Sequence, residues 1–407
     1  MAGTLSPLLA AVAEAPRPVD PDRAAALERA LERGLPTRAD EDWRYLDLRT
    51  LAEQPRTLDA GPTPDAGLVA GLAPAFENEI RLVIVDGRLD ASLSSPPGSW
   101  SSLIGGAGPG SPGWAWGDLA VGLDGAALRL RLAPGRQLGE TLHVVHVSTP
   151  GAARLTGATF CLELGRSSAA RLVESHVGLQ GAEVLGCVQT TLRLGADAEL
   201  RHVKFQDVPH TCTHIAEGRV TIERDARYHS TGVTTGAALS RDTLDAVVTG
   251  PGAQTRLAAL SFANGGQHID HHTSLDHTEP DCTSHQLYKA ILRGSAHGVF
   301  NGKIYVRQAA QRTNADQLSK SLLLSREARV DAKPQLEIFA DDVRCTHGAT
   351  VGQLDAEELF YLMSRAIPRV TAERMLLAGF ATDVLAQLAD AELERRAAEQ
   401  IRRAWEV

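Results

Sequence analysis

The chain is short of aromatic residues, 4% of its 407 positions, and it holds three methionines. A core built from it must therefore be mostly leucine, valine and alanine, and an apolar content of 43% is enough to supply one. The same scarcity leaves few exposed platforms for stacking on sugars. Its five cysteines, Cys161, Cys187, Cys212, Cys282 and Cys345, include no C-x-x-C pair. An odd, scattered set is no disulfide framework and no self-contained four-thiolate centre, so free thiols in a reducing cytoplasm are expected. Positive charge is not in excess either: 41 basic residues against 50 acidic ones give a net charge of -9, which argues against nucleic acid or an anionic membrane as partner. No apolar run approaches the roughly 18 residues of a membrane span, and the opening MAGTLSPLLAAVAEAPRP has no basic leader. Neither a G-x-S-x-G elbow nor an H-E-x-x-H zinc motif occurs. Glycines in the stretch 95–118 are not followed by Lys-Ser/Thr, which excludes a phosphate loop and predicts a plain loop.

What is present is periodic. Near the start, Asp20 suits a helix N-cap, Pro21 the first helical position and Gly34 the exit, with Ala24, Leu27, Ala30 and Leu31 on one face. From about 125 to 345 a unit recurs: an apolar strand end, a turn of small or polar residues, an alanine and a new strand. Ala170, Ala198, Ala226 and Ala253 lie 28, 28 and 27 apart, and Ala296 and Ala328 continue at 43 and 32. Short strands at such a period predict a β-solenoid, because one turn cannot bury its apolar face alone and neighbours stack on it. From Asp355 the pattern returns to helix, with Leu359, Leu362 and Met363 as a stripe, a break at Pro368, and a second run through Met375, Leu376, Phe380, Val384, Leu385 and Leu388. The expected organisation is a helical and mixed region over 1–120, a β core over 121–350 and a C-terminal helical domain over 351–407.

Two places could carry chemistry. The segment QHIDHHTSLDHTEPDCTSH, 267–285, is dense in imidazole, carboxylate and thiol, and His268, His272 and Cys282 are candidate ligands for Zn²⁺ or Fe²⁺. On a strand, His268, Asp270 and His272 share one face and His271 takes the other. A free-standing metal-dependent enzyme on a solenoid is one reading, and ladder residues satisfying turns and backbone are the other. The second place is DDVRCTHGATVGQL, 341–354. If 335–347 is one extended run, Asp341, Val343, Cys345 and His347 project to the same side. A thiolate beside an imidazole is a soft-donor pair for iron or zinc, too small to complete a site; another segment or chain must supply the rest.

The stretch KPQLEIFADDVRCTHGATVGQLD, with NADQLSKSLLLS before it and ELFYLMSRAI after it, resembles the SufB/SufD family of scaffold subunits of the SUF iron–sulfur cluster assembly machinery, in its SufD form. PTRADEDWRYLDL and HIDHHTSLDHTEPDCTSHQLYKAIL are similar to further family segments. The resemblance implies a right-handed parallel β-helix between helical ends and a non-catalytic subunit. It implies pairing with a SufB-like paralogue through the β-helix and docking of a SufC-like ABC-type ATPase on the C-terminal helices, where Leu376, Phe380 and Leu385 are candidates. Cys345 and His347 then fall at the interface where a transient iron–sulfur cluster is shared with the SufB-like partner, the isolated subunit holding no permanent cofactor and being free to form a homodimer. Ala366 stands where the family commonly has glycine, so a left-handed backbone there would cost of order 1 kcal/mol.

Overall fold

The computed structural model describes residues 5–103, 115–123 and 125–406. The solenoid prediction holds. Two sheets face each other across an apolar bore. The ten-stranded sheet contains, in spatial order, Arg344–Gly352, Asn314–Leu323, Thr283–Leu292, Gln254–Ala263, Arg227–Thr234, Glu199–Asp207, Ala169–Gly178, Gln137–Ser148, Glu79–Val85 and Arg88–Leu89. The eight-stranded sheet runs Arg329–Ile338, His297–Val306, His268–His277, Leu239–Val248, Thr213–Ile222, Val184–Leu194, Arg154–Leu164 and Ala127–Leu132. From Ala127–Leu132 onward successive strands alternate between sheets, and all strand pairings are parallel except the hairpin of Glu79–Val85 with Arg88–Leu89. One strand of each sheet per turn gives about eight turns.

The corners explain the repeat. Two positions ahead of successive strands of the ten-stranded sheet the backbone is left-handed: Ser167 (φ 56°), Asp197 (62°), Asp225 (55°), Gly252 (76°), Asp281 (62°) and Arg312 (59°). Aspartate and glycine tolerate that region better than most residues. The next residue packs inward, and Ser168, Ala198, Ala226, Ala253, Cys282 and Thr313 are all at most 1% exposed. The alanine series is thus real over Ala198, Ala226 and Ala253. Ala170 lies inside a strand, and Ala296 and Ala328 precede strands of the other sheet. The uneven spacing of 43 arises where the series crosses from one corner to the other. Cys282 takes the place of an alanine.

The β architecture starts earlier than the repeat suggests. Glu79–Val85 pairs with Gln137–Ser148, and Asp86 (φ 44°) and Gly87 (φ 83°) turn the chain into the hairpin, as an Asp-Gly pair does. Within 95–118, the expectation of a plain loop is corrected. Pro97–Trp100 and Ser101–Leu103 are helical turns and Ala115–Gly122 is a helix, while 104–114 lie outside the described residues. Trp116, Leu119, Ala120 and Leu123 recur at helical spacing and are buried against Leu27 and Trp43, a signal masked by the Gly/Pro-rich surroundings. Gly122 is needed there, because a Cβ would come 2.8 Å from that of Leu27.

Both outer faces are partly clothed by helices. The N-terminal helix Pro21–Arg33 forms as expected, capped by Asp20 on the amides of Asp22 and Arg23 and ended at Gly34 (φ 72°). With Trp43 and Trp116 it covers Leu185, Cys187 and Ile215 on the eight-stranded sheet. At the other end, Arg369–Leu385 lays Leu377, Ala381 and Val384 on Leu260, Phe262 and Ile291. The last helix, Ala391–Glu406, adds Leu393 and Ala397 over Val203 and Phe205. Ala366 is indeed left-handed (φ 62°). No helix among the described residues is long and apolar enough to cross a membrane.

Candidate functional site

The last turn differs from all those before it. Arg329–Ile338 and Arg344–Gly352 are the terminal strands of the two sheets at the same end of the solenoid. The first contains no buried residue, and Pro334 interrupts its amide row. The second has none either, and Ile338, Phe339 and Val351 stand exposed. A long, uncapped strand edge is a template for another chain, and monomers normally blunt or cover such edges.

Cys345 and His347 sit on this final strand. Cys345 is in register with Ala315 and, one turn further in, Ser284; His347 is in register with Gln317 and Gln286. All four inner neighbours are at most 1% exposed. The pair therefore extends two rows of inward-facing side chains past the last closed turn. Cys345 is half-buried against Ile304, Val306, Ala310 and Ala340. Burial pushes its thiol up, against the pull of a hydrogen bond from the Ala315 amide, so at neutral pH it rests protonated until a metal or cation takes the proton's place. His347 is exposed and makes no hydrogen bond or ion pair among the described residues.

The single extended run over 335–347 does not form. The strand ends at Ile338, and 339–343 make a corner in which the Arg312 amide donates to the Asp342 carbonyl (2.6 Å) and Gln311 Oε1 accepts from the Asp342 amide (2.9 Å). Asp341 and Val343 belong to that corner and do not share the strand of Cys345 and His347. The reason is the solenoid itself, which must change sheets every ten residues or so.

The 267–285 segment is distributed rather than convergent. Asp270 and His272 face the outer side, where Arg241 donates to Asp270 (2.6 Å), contacts His272 (3.1 Å) and stacks 3.8 Å over Trp43. Burial would raise Asp270, but Arg241 and His272 hold it well below the usual carboxylate range. His271 takes the opposite face, bonding Ser261 and packing on Tyr288. His268 lies edge-on to His297, burial holding it down to about 4, and Cys282 is spent on the Pro280 carbonyl at a corner. His285 pairs with Asp316. His268, His272 and Cys282 thus end in separate partners. Arg241, held by Asp270 and His272, anchors the N-terminal DEDW stretch through Trp43, with Lys303 on Asp42 (2.8 Å) beside it. Ligand-type side chains do converge elsewhere, at His146, Glu174 and His176.

Comparison with known proteins agrees with this geometry. The family model described as SUF system FeS cluster assembly, SufBD core domain, matches residues 148–380. The iron–sulfur cluster assembly protein SufD of Escherichia coli is 31% identical over 379 residues, 91% of this chain and 89% of that protein. The chain belongs to the SufB/SufD family. Its members serve iron–sulfur cluster assembly in the SUF system. A SufBD family protein of Synechocystis is 38% identical over 51% of this chain and 46% of its own length. SufD of Bacillus subtilis is 36% identical over 34% of this chain and 32% of its own.

The family core takes in the solenoid from its second turn onward and the helix Arg369–Leu385 up to Phe380. On that helix Leu376, Phe380 and Leu385 are half-buried, and Phe380 and Leu385 pack inward with Phe262 and Ile291. The exposed apolar side chains of the C-terminal helices are instead Phe360, Tyr361, Met363, Val370 and Met375. The helix Ala356–Ser364, capped by Asp355, buries no residue at all. Helical spacing marked an apolar stripe here, but spacing alone does not say which apolar residues the rest of the chain leaves uncovered.

Proposed function

We propose that the chain is a non-catalytic scaffold subunit of an iron–sulfur assembly complex. Its open final turn pairs with a SufB-like paralogue, and Cys345 with His347 offers two ligands to a nascent cluster whose other donors come from that partner. The cluster is cargo, and the subunit keeps no cofactor of its own. The C-terminal helical domain, 351–407, docks a SufC-like ABC-type ATPase through the patch of Phe360, Tyr361, Val370 and Met375, with Leu376 and the inward-packed Phe380 and Leu385 as its support. The observation that carries the reading is that a soft-donor pair lies on the open final turn, where a partner's strand would bring further ligands within reach. The reading as a free-standing metalloenzyme loses its basis, since His268, His272 and Cys282 point to different partners.

The test is the iron and acid-labile sulfide content of the anaerobically purified complex with SufB-like and SufC-like partners. Cys345→Ala/His347→Ala should leave the complex assembled and cut the cluster at least tenfold. Equal cluster in both would make the pair a bystander, and failure of the wild type to assemble would remove the partnership itself.

A further inference from the structure

The early turns hold a second constellation, buried inside the bore. His146 and His176 are register partners on adjacent strands of the ten-stranded sheet, and their rings stack 4.5 Å apart at 12°. Glu174 lies two residues before His176 on the same face, with Glu174 Oε2 3.4 Å from His176 Nε2. One ligand atom from each of His146, Glu174 and His176 lies within 4.8 Å of the other two. From the opposite sheet His214 packs its ring 4.5 Å from that of His176. His176, Glu174 and His214 are at most 4% exposed. His146 is partly exposed as a residue, yet its Nε2 is sealed from solvent. Among the described residues the Nε2 atoms of His146 and His214 have no hydrogen-bond partner, and that of His176 has only Glu174 Oε2 at 3.4 Å. Beside the three rings lies a cavity of about 30 Å³, room for one ion or one water.

The charge balance points the same way. Lys204 is matched by Asp242 at 3.0 Å. Glu174 has no Lys or Arg paired with it among the described residues and is bonded by Thr190 Oγ1 (3.1 Å) and His202 Nε2 (2.9 Å).

We propose that His146, Glu174 and His176 bind a single divalent first-row transition cation inside the early turns of the solenoid. The site lies six strand steps from Cys345 and His347 along the sheet, roughly 29 Å at about 4.8 Å per step. Stacked rings present their nitrogens side by side, and rotation about χ2, a soft torsion, converges them on the ion, with His214 at hand as a further ligand. Two imidazoles and a carboxylate suit Zn²⁺ or Fe²⁺ over Mg²⁺ or Ca²⁺.

The test uses Co²⁺ and Zn²⁺ on the full chain carrying Cys345→Ala/His347→Ala, so that the open turn contributes nothing. The metal is offered both to the native protein and during refolding, because the site is enclosed. The expected result is about one Co²⁺ per chain with visible ligand-field bands, displaced by Zn²⁺, and at least a tenfold loss of affinity in His146→Gln/His176→Gln. Absence of stoichiometric metal by either route overturns the proposal and leaves a buried water in the cavity. So does retention of metal in the glutamine variant. Should that variant not fold, X-ray absorption of the metal-loaded parent decides: two imidazoles at about 2.0–2.1 Å support the site, and their absence overturns it.

Discussion

The turn containing Val184–Leu194 and the turn containing Arg344–Gly352 are built on the same backbone plan. In the first, nine of the eleven strand residues are buried; in the second, none of nine. The difference is not one of strand geometry, since both pair in parallel register with the turn before them. It comes from what lies beyond: a neighbouring turn and a clothing helix in one case, and no further turn among the described residues in the other. In the open turn His347 has no hydrogen-bond partner among the described residues, and Cys345 takes only the Ala315 amide.

That division can be broken by mutation. Arg241→Ala removes the cation between Asp270 and Trp43 and leaves a buried carboxylate with only His272 against it, so a loss of about 3 kcal/mol in urea unfolding is expected. A loss below about 1 kcal/mol would mean that the N-terminal segment is not anchored there. Acid should act next. His146, His176, His268 and His277 are held by burial near 4 from an ordinary 6.5, so the unfolded chain binds protons that the folded chain excludes. Their contribution is intact above about pH 6.5 and is lost progressively as pH falls toward 4. A urea midpoint unchanged between pH 7.5 and 5 would contradict this. Ala366→Gly relieves a left-handed alanine and should raise stability by about 0.5–1 kcal/mol, read as a shift in thermal midpoint. The smallest effect belongs to the exposed end: Phe360→Asp/Met375→Glu should change the isolated chain by less than about 0.5 kcal/mol and yet abolish pull-down of the ATPase partner. Retained pull-down would move the docking surface elsewhere.

Much of the fold could be read from Ala198, Ala226 and Ala253, because a small residue is required once per turn at the same corner. What could not be read was where the series crosses to the second sheet, since alanine serves both corners. Cys345 and His347 were legible as a pair because two residues apart on a strand is a local relation. Asp341 and Val343 were wrongly joined to them, because a corner without glycine or proline looks extended. His146 and Glu174 with His176 escaped notice because their proximity is a property of register. The signal was a second histidine 30 positions on, one full turn, which only a known period makes visible.

The left-handed corner at Ser167, Asp197, Asp225, Gly252, Asp281 and Arg312 has a consequence for how such a chain can change length. Each corner resets the chain to the same orientation, so an insertion or deletion is harmless to alternation only in whole turns. Excision of 227–253, one complete turn, would join Ala226 to Gln254 with every later side chain on its original face. It would shorten the rod by one strand spacing, about 4.8 Å. Loss of a single residue within a strand would instead turn the rest of that strand inside out, exchanging its buried and exposed rows. The molecule is quantised along its axis, and its reach toward a partner can be altered only in steps of that size.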